Sequence, residues 1–527
     1  MPNSRRRFLR RLLAGAALAG VSPSLARAAR FGQSPAIVTS PRARPQMPYG
    51  IAAGDVAGGR AIVWSATDRP ARMIVEWDTT DRFTNARRLV GPAALEPTAF
   101  TTKIELTDLP AGQRIAYRVQ YEGLRDLKAL SEPRVGSFAT APATATRPVR
   151  VAWTADVVGQ GWGRNPDFGG LKMFETMRRA QPDLFIHSGD TVYADQPLAR
   201  EVTLDDGTVW RNIVTEAKSH VAQTLEDYRG NHRYNLEDAH VQRFAAEVAQ
   251  VYQWDDHEVL DNWYPTEVLT SPRFAAEKSV ALLAAWAKQA FLEHYPIRID
   301  PADPERIYRQ YSLGPLVDVF VLDERSYRGA NSPNTQTTLD AASALLGAEQ
   351  LAWLKRGLAR SQATWKIVAS DLPLGVVVPD YPPPDMEAFA QGDGAPLGRE
   401  LELADLFRHL KANRVRNVVW ITADVHYCAA HEYHPSRARF TEFDPFWEFV
   451  AGPAHAGTFG PNAMDDTFGP EVKFVGIPPG MKPNRPPSEG LQFFGVLEAD
   501  PKTRALTVRL HNLAGNEIYK MVLGAEC

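Results

Sequence analysis

Between residue 49 and about residue 141, short apolar segments alternate with polar positions, and the spacing of apolar residues is not helical. Gly, Pro and Asp turns separate four such segments, at residues 61–65, 71–77, 101–106 and 114–121. Strands at this spacing are typical of a small antiparallel sandwich. We therefore predict an N-terminal β-sandwich domain over residues 47–142, preceded by a Pro-, Arg- and Ser-rich linker over residues 29–46.

From Val149 onward the pattern changes to strands that alternate with amphipathic helices. Apolar runs predict strands at residues 149–155, 184–188, 251–254, 317–322, 365–370 and 417–422, and a closing pair at 491–497 and 505–513. Helices are expected at residues 168–179 and 239–250, and where leucines recur at helical spacing, around 351–358 and 403–410. This order predicts an α/β core over residues 148–527.

Two long segments interrupt the alternation. Residues 376–398 are acidic and rich in Pro and Gly, and residues 452–490 have few periodic apolar positions. Loops of this length inside a compact domain are usually functional or mobile. We expect both to lie near a functional site.

The N-terminus has the order of an export signal. Ser4 is followed by three arginines, an apolar run extends from Leu12 to Val21, and Ala26-Arg-Ala28 is a small-x-small cleavage pattern. We predict a twin-arginine signal peptide over residues 1–28, the twin-arginine translocase as partner, and a periplasmic or secreted location. A membrane anchor, the alternative, needs an apolar run of about 20 residues, which is roughly twice the length present.

The net charge of the chain indicates which classes of macromolecule it could bind. The formal net charge is −3, and removal of residues 1–28 takes away six arginines and no acids, which leaves −9. A protein that binds duplex nucleic acid needs a basic face to neutralise phosphates. We therefore expect no duplex nucleic-acid binding.

The cysteine content argues against a disulfide scaffold. The sequence contains two cysteines, Cys428 and Cys527. Exported domains that depend on disulfides carry many more. Cys428 lies in an apolar run, as buried free cysteines do, and the sequence leaves open whether the two residues pair.

Acidic residues follow five of the predicted strands directly. These groups are Asp156, Asp190, the run Asp255-Asp-His-Glu258, Asp323 with the nearby Arg325, and the pair Asp424 and His426. If the strands are parallel neighbours, all five groups meet at one edge of the sheet, where open α/β sheets bind ligands. Crowded carboxylates repel unless cations lie between them. Hard oxygen ligands with a few imidazoles therefore indicate a pair of divalent or trivalent metals.

Each group also has a simpler interpretation. A lone Asp after a strand, such as Asp156 or Asp323, often caps a helix or a turn, and His187 inside an apolar strand is typical of a core residue. Asp195 is most simply a loop carboxylate. Three further histidines near the later groups are weak candidates: His431, His434 and His455. The recurrence of the pattern, rather than any single residue, favours the metal site.

Five segments carry a more specific signal. They are Ser188-Gly-Asp-Thr-Val-Tyr193, Trp254-Asp-Asp-His-Glu-Val259, Leu322-Asp-Glu-Arg-Ser-Tyr-Arg328, Leu346-Gly-Ala-Glu-Gln-Leu-Ala-Trp-Leu354 and Thr422-Ala-Asp-Val-His426. With the export signal and the N-terminal sandwich, they resemble PhoD-type alkaline phosphatases, within the calcineurin-like metallophosphoesterases. The resemblance covers nearly the whole chain. It implies an α/β (α+β) metallophosphoesterase sandwich core after an all-β domain of the immunoglobulin or fibronectin III type.

The resemblance also implies a first metal site. Asp190 would bridge two metals, and Asp156 and Tyr193 would complete one coordination sphere, with His426 beside them. A phenolate suits a hard trivalent ion, so Tyr193 favours Fe³⁺, and the family adds Ca²⁺ as its partner, with other divalent ions as alternatives. Some PhoD-type enzymes carry cysteine at the Asp156 position, and the superfamily Asp-x-His motif lacks its histidine here, which leaves the metal choice open.

The remaining implied roles concern the second metal and the substrate. Asp256 and Asp424 stand where related enzymes place asparagine and histidine ligands. His257 would donate a hydrogen bond or proton to the phosphate or leaving oxygen, and Arg325 would hold the nonbridging oxygens. The segment Gly161-Trp-Gly163 either faces the phosphate or forms a simple turn.

The expected function is that of an exported phosphatase. A metal-bound hydroxide would hydrolyse phosphomonoesters and phosphodiesters, either small or polymeric. One alternative is a phospholipase-like phosphodiesterase, in which the two long loops form an apolar lid. Another, from a different class, is a non-catalytic cell-surface binding protein. The N-terminal sandwich is assigned no ligand, since such domains are more often spacers.

Overall fold

The computed structural model describes residues 40–381 and 383–526. The predicted signal peptide, most of the linker over residues 29–46, and Cys527 lie outside the described residues. From Pro45 onward the chain folds as one compact unit. Cys428 is a buried free thiol. Among the described helices, none combines the length and the hydropathy that crossing a membrane requires.

Seven strands form the N-terminal part, which is all-β as predicted: β1 (Ile51–Ala57), β2 (Arg60–Ala66), β3 (Ala71–Asp78), β4 (Arg87–Ala94), β5 (Thr101–Leu106), β6 (Arg114–Gly123) and β7 (Arg134–Ala139). They divide between two sheets. One is a separate antiparallel sheet of order β4-β3-β6-β7. The other three strands continue the large sheet of the α/β core, because β1 pairs in parallel with a core strand at Gly54 and Gln250.

The described remainder of the chain contains fifteen strands and six α-helices. The strands are β8 (Val149–Thr154), β9 (Leu184–Ser188), β10 (Glu201–Thr203), β11 (Val209–Arg211), β12 (Ala249–Gln253), β13 (Arg309–Ser312), β14 (Val317–Val321), β15 (Trp365–Ala369), β16 (Val418–Thr422), β17 (Ala429–Tyr433), β18 (Phe446–Val450), β19 (Pro470–Val475), β20 (Phe493–Ala499), β21 (Leu506–Asn512) and β22 (Glu517–Leu523). The helices are α1 (Met173–Arg179), α2 (Leu225–Leu236), α3 (Ala239–Glu247), α4 (Val280–His294), α5 (Gly347–Arg360) and α6 (Glu400–Ala412).

The strands that carry the acidic groups lie in two sheets, not in one. The first sheet has nine strands in the order β22-β21-β20-β8-β9-β12-β1-β2-β5, and the second has seven in the order β13-β14-β15-β16-β18-β17-β19. Within each sheet the central strands are parallel. The expectation that all five groups share one sheet edge is therefore wrong. Apolar runs identify buried strands, but they do not say which sheet a strand joins.

The two sheets pack face to face, with helices on their outer faces. Alternate residues of each strand point into the shared core, such as Val151 and Trp153 from β8 and Val419 and Ile421 from β16. The Trp153 indole donates to the carbonyl of Thr422 across the interface at 3.3 Å. Helices α1–α4 cover the first sheet, and helices α5 and α6 cover the second. The carboxyl ends of both sets of parallel strands consequently open toward one site.

Two predicted helices are shorter than the sequence pattern suggests. The first begins at Met173 rather than residue 168, because Gly169 and Gly170 adopt φ of 95° and 72°. The second ends at Glu247, since Val248 is extended and the next residues pair with β9 as strand β12. Both corrections shift boundaries and leave the order of elements unchanged.

Candidate metal centre

Four of the predicted ligands lie two to four residues past the ends of central strands. Asp156 follows β8 and Asp190 follows β9, while Asp424 and His426 follow β16. All four have left-handed backbones, with φ of 61°, 50°, 61° and 60°. Residues other than glycine rarely adopt this conformation, and it persists where the surrounding structure enforces it. The backbone is therefore bent at the positions where side chains converge.

Asp156, Asp190 and His426 form a first cluster. Their ligand atoms all lie within 4.8 Å of one another, and His426 Nε2 is 3.6 Å from Asp156 Oδ1. The Tyr193 hydroxyl lies 2.8 Å from the same Nε2. His426 Nδ1 donates to the carbonyl of Gly457 at 2.6 Å, so Nε2 is the nitrogen that carries the lone pair a metal would bind. The structure thus brings together the four side chains for which a shared metal is expected.

Asp190 also belongs to a second cluster, with Asp256 and His257. Their ligand atoms lie within 4.8 Å of one another, and the same holds for a third group formed by Asp255, Asp256 and Asp424. The backbone N–H of His257 donates to Asp190 Oδ1 at 3.2 Å. Asp190 is thus shared by the first two clusters and Asp256 by the next two, an arrangement suited to a bridged pair of cations.

His257 is held at the side of these clusters. Its Nδ1 lies 2.8 Å from Asp195 Oδ1, and its ring packs on that of Tyr193 with centroids 4.3 Å apart. Burial lowers the pKa of His257, but Asp195, Asp256 and Asp190 outweigh burial and raise that pKa well above its usual value. The free Nε2 lies 3.8 Å from Asp256 Oδ2. His257 therefore presents one nitrogen to the centre and anchors the other.

Arg325 is fully buried beside the clusters. Its Nε donates to Asp255 Oδ1 at 2.6 Å, and its Nη2 contacts Glu387 and lies 3.8 Å from Asp256 Oδ1. Its Nη1 is among the buried described atoms that lack a hydrogen-bond partner. Arg325 thus offsets part of the acidic charge and keeps one donor unused.

The unpaired acidic atoms test whether cations fit here. Both carboxylate oxygens of Asp156, Oδ2 of Asp255 and Oδ1 of Asp256 are buried without a hydrogen-bond partner among the described residues. Burial, followed by the neighbouring carboxylates, raises the pKa of Asp156 and of Asp190 well above the usual value. Buried acids in such numbers are costly unless paired or metal-bound. The donor set therefore fits bound metal ions.

Comparison with known proteins identifies the family to which the chain belongs. A family model described as PhoD-like phosphatase matches residues 151–510, and one for the PhoD-like phosphatase N-terminal domain matches residues 32–142. The chain belongs to the PhoD-like phosphatase family. It is 29% identical over 310 residues to alkaline phosphatase D of Bacillus subtilis (strain 168). That match covers 57% of this chain and about half, 51%, of the relative.

Two solved structures share the fold. A structure of PhoD has a TM-score of 0.66 at 21% identity. The match covers 91% of this chain and 89% of the PhoD chain. Purple acid phosphatase PPD1 from yellow lupin (Lupinus luteus) seeds has a TM-score of 0.57 at 13% identity. The match covers 91% of this chain and 74% of the lupin chain. The predicted metallophosphoesterase sandwich is thereby confirmed as the fold of this PhoD-like chain.

Several carboxylates at the site carried no predicted role, and three of them are Asp195, Glu387 and Asp371. Asp195 bonds His257, Glu387 from the loop over residues 376–398 bonds Arg325, and Asp371 lies 4.0 Å from Arg325. Asp371 follows strand β15 as the other acids follow theirs, so the same sequence signal could have found it. Asp195 and Glu387 lie in loops, where the sequence gives no comparable signal. The interpretation of Asp195 as a plain loop carboxylate is wrong because its side chain is buried against His257.

The remaining candidates lie outside the clusters. Among the weaker histidines, His431 bonds Glu448, His434 bonds Ser436, and His455 lies 3.2 Å from the carbonyl of Gly163. The segment Gly161-Trp-Gly163 forms a turn, in which the Trp162 N–H donates to the carbonyl of Gly159 at 3.1 Å. The other hydrogen bonds of this segment go to residues outside the clusters, such as Asn484 and Asn212, which favours the turn interpretation.

Proposed function

We propose that this PhoD-like chain is an exported, metal-dependent phosphatase that hydrolyses both phosphomonoesters and phosphodiesters. The observation that carries the proposal is the sharing of Asp190 between two buried clusters, in which both oxygens of Asp156 and Oδ1 of Asp256 have no hydrogen-bond partner among the described residues. Two cations bound there would neutralise phosphate charge and activate water as the nucleophile. Family membership supports the reaction class.

The first cluster suits the harder ion. We assign Fe³⁺ to Asp156, Asp190, Tyr193 and His426, because a phenolate and two carboxylates favour a trivalent cation. The second ion, with Asp190, Asp256 and Asp424, has an oxygen-rich set that suits Ca²⁺ or another divalent cation. The support for this assignment is the chemistry of the donors.

The protein's own groups then act on the substrate. His257 Nε2 would hold a proton toward the phosphate or the leaving oxygen, while Asp195 fixes the opposite nitrogen. Arg325 would use its unpaired Nη1 toward the nonbridging oxygens. The loop over residues 376–398 brings acids to this region, including Glu387, so the contacts favour this proposal over an apolar lipid-binding lid.

A direct assay tests the proposal. Metal-replete protein should release p-nitrophenol from both p-nitrophenyl phosphate and bis(p-nitrophenyl) phosphate. Asp190→Asn should lose bound metal and activity together, since it removes the shared ligand. Folded, metal-loaded protein that turns over neither ester would sink the proposal, and would favour the non-catalytic alternative.

The export part of the proposal depends on the sequence of residues 1–28 alone. The twin-arginine translocase would carry the folded chain to the periplasm or the exterior. Replacing Arg5 and Arg6 together by lysine should retain the precursor inside cells, as judged by fractionation. Normal export of that double variant would contradict the proposed route.

A further inference from the structure

Asp261 stands at the exposed side of His257. Its Oδ1 lies 3.6 Å from His257 Nε2, the nitrogen that Asp195 leaves free. The Asp261 side chain is 70% exposed, whereas that of His257 is 8% exposed. The backbone N–H of Asp261 donates to Asp195 Oδ2 at 3.1 Å, so the carboxylate projects from a fixed backbone. A substrate oxygen that reaches Nε2 therefore comes close to the Asp261 charge.

The surroundings of Asp261 are mostly acidic. The strongest electrostatic influences on it are His257, which is favourable, and the carboxylates Asp256, Asp195 and Asp380, which repel it. Asp380 is held in place by the side-chain amides of Asn262 and Asn331, at 3.0 Å and 2.8 Å. This acidic rim is therefore built into the fold.

Two arginines of this region bond groups other than the Asp261 carboxylate. Arg325 is buried against Asp255 and Glu387. The Arg273 guanidinium donates to the backbone carbonyl of Asp195 and not to the Asp261 carboxylate. Once two metal ions neutralise the inner ligands, Asp261 remains as an exposed negative charge beside the proton donor, and His257 is its ion-pair partner.

We propose that Asp261 determines substrate specificity by disfavouring a second negative charge on the phosphate. At alkaline pH a phosphomonoester carries two negative charges, because its second pKa is about 6, and a phosphodiester carries one. The site would therefore select phosphodiesters over monoesters of the same alcohol. This inference depends on the proposed phosphatase function and names its preferred substrate class.

The test compares two esters that share a leaving group. With metal-replete protein in alkaline buffer, kcat/KM is measured for p-nitrophenyl phosphate and for methyl p-nitrophenyl phosphate. Asp261→Asn should raise the monoester-to-diester ratio roughly three- to thirtyfold, as expected for removal of one charge a few ångströms from the phosphate. The gain should come mainly from a lower KM for the monoester, because the charge acts on binding.

Three controls separate charge from structure. Asp261→Glu keeps the charge and should keep the wild-type ratio. Asp81→Asn removes an exposed charge from the turn between β3 and β4 and should also leave the ratio unchanged. Added salt should reduce discrimination in the wild type and leave it unchanged in Asp261→Asn, since the charge is exposed.

Each outcome decides one claim. An unchanged ratio in Asp261→Asn, with the wild type active, overturns the specificity role. An equal fall of kcat/KM for both esters also overturns it, and makes Asp261 a positioning residue for His257. If the wild type hydrolyses neither ester, the proposed function fails first, so the two failures are distinguishable.

Discussion

His257 Nδ1 lies 2.8 Å from Asp195 Oδ1, and both side chains are buried. The second oxygen of Asp195 accepts the backbone N–H of Asp261, so the carboxylate is held from two directions. A carboxylate beside one imidazole nitrogen fixes the ring orientation and the tautomer. The pair therefore determines what His257 can present to a substrate through Nε2.

Asp195→Asn should slow catalysis without emptying the metal sites. The amide keeps the shape of the side chain but removes the charge that favours protonated His257, and losses of about 10–100-fold are typical for such partners. The pKa of His257 should fall, so the alkaline limb of the rate profile should move to lower pH. Measurement of kcat against pH, with elemental analysis, checks this; an unchanged profile would count against the pairing.

Tyr193→Phe should remove colour from the metal-loaded protein. The Tyr193 hydroxyl lies 2.8 Å from His426 Nε2, within the cluster assigned to Fe³⁺. A tyrosinate bound to ferric iron absorbs visible light, and phenylalanine cannot replace it. Visible spectra combined with elemental analysis test the assignment. A wild type that binds metal but shows no such band would favour two divalent ions.

The sequence located the acidic residues of the clusters better than it predicted the arrangement of the strands that carry them. Asp156, Asp190 and Asp424 each follow an apolar run, and the end of a buried strand is a place where polar side chains converge. That signal is local, so it can be recognised without knowledge of the tertiary structure. The division of these strands between two sheets depends on long-range pairing, which apolar runs do not encode.

The supporting residues were harder to predict for the same reason. Glu387 is 62 positions from its partner Arg325, and Asp195 is 62 positions from His257. Both lie in loops, where an acidic residue is ordinarily exposed. Their roles arise only when the loops fold back on the strand ends.

Arg325→Lys should impair activity more than a comparable change elsewhere. Arg325 bonds Asp255 and Glu387 through different nitrogens, a geometry that a single ammonium cannot reproduce. We expect kcat/KM to fall by about 100-fold and inhibition by inorganic phosphate to weaken.

Arg229→Lys is the matched control for Arg325→Lys. Arg229 forms a paired contact with Glu293, at 2.7 Å through two nitrogens, and both side chains are largely buried. This change should reduce thermal stability and leave kcat/KM near the wild-type value. Equal losses of activity in both variants would show that Arg325 acts through stability alone.

In metal-free protein, the Asp156 carboxyl should lower the free energy of unfolding as pH rises. Burial, followed by the Asp255 carboxylate, raises the pKa of Asp156 well above its usual value. The folded state therefore binds this proton more tightly than the unfolded state does. Its contribution to stability is fully present below the unfolded pKa of about 4 and is lost as pH rises through the folded pKa.

Asp156→Asn isolates this contribution to the pH dependence. Buried histidines with lowered pKa, such as His187, contribute the opposite slope, so the comparison with the variant is essential. The asparagine cannot ionise, and the metal-free variant should melt at least about 2 °C above metal-free wild type at pH near 8, with a smaller difference near pH 5. With metals added, the order of the two melting temperatures should reverse. The wild type is then stabilised by the bound cation, whereas the variant lacks one of its ligands. Melting temperatures at both pH values, with and without chelator, decide between these outcomes; a difference independent of pH would show that the Asp156 carboxylate is not the group that titrates.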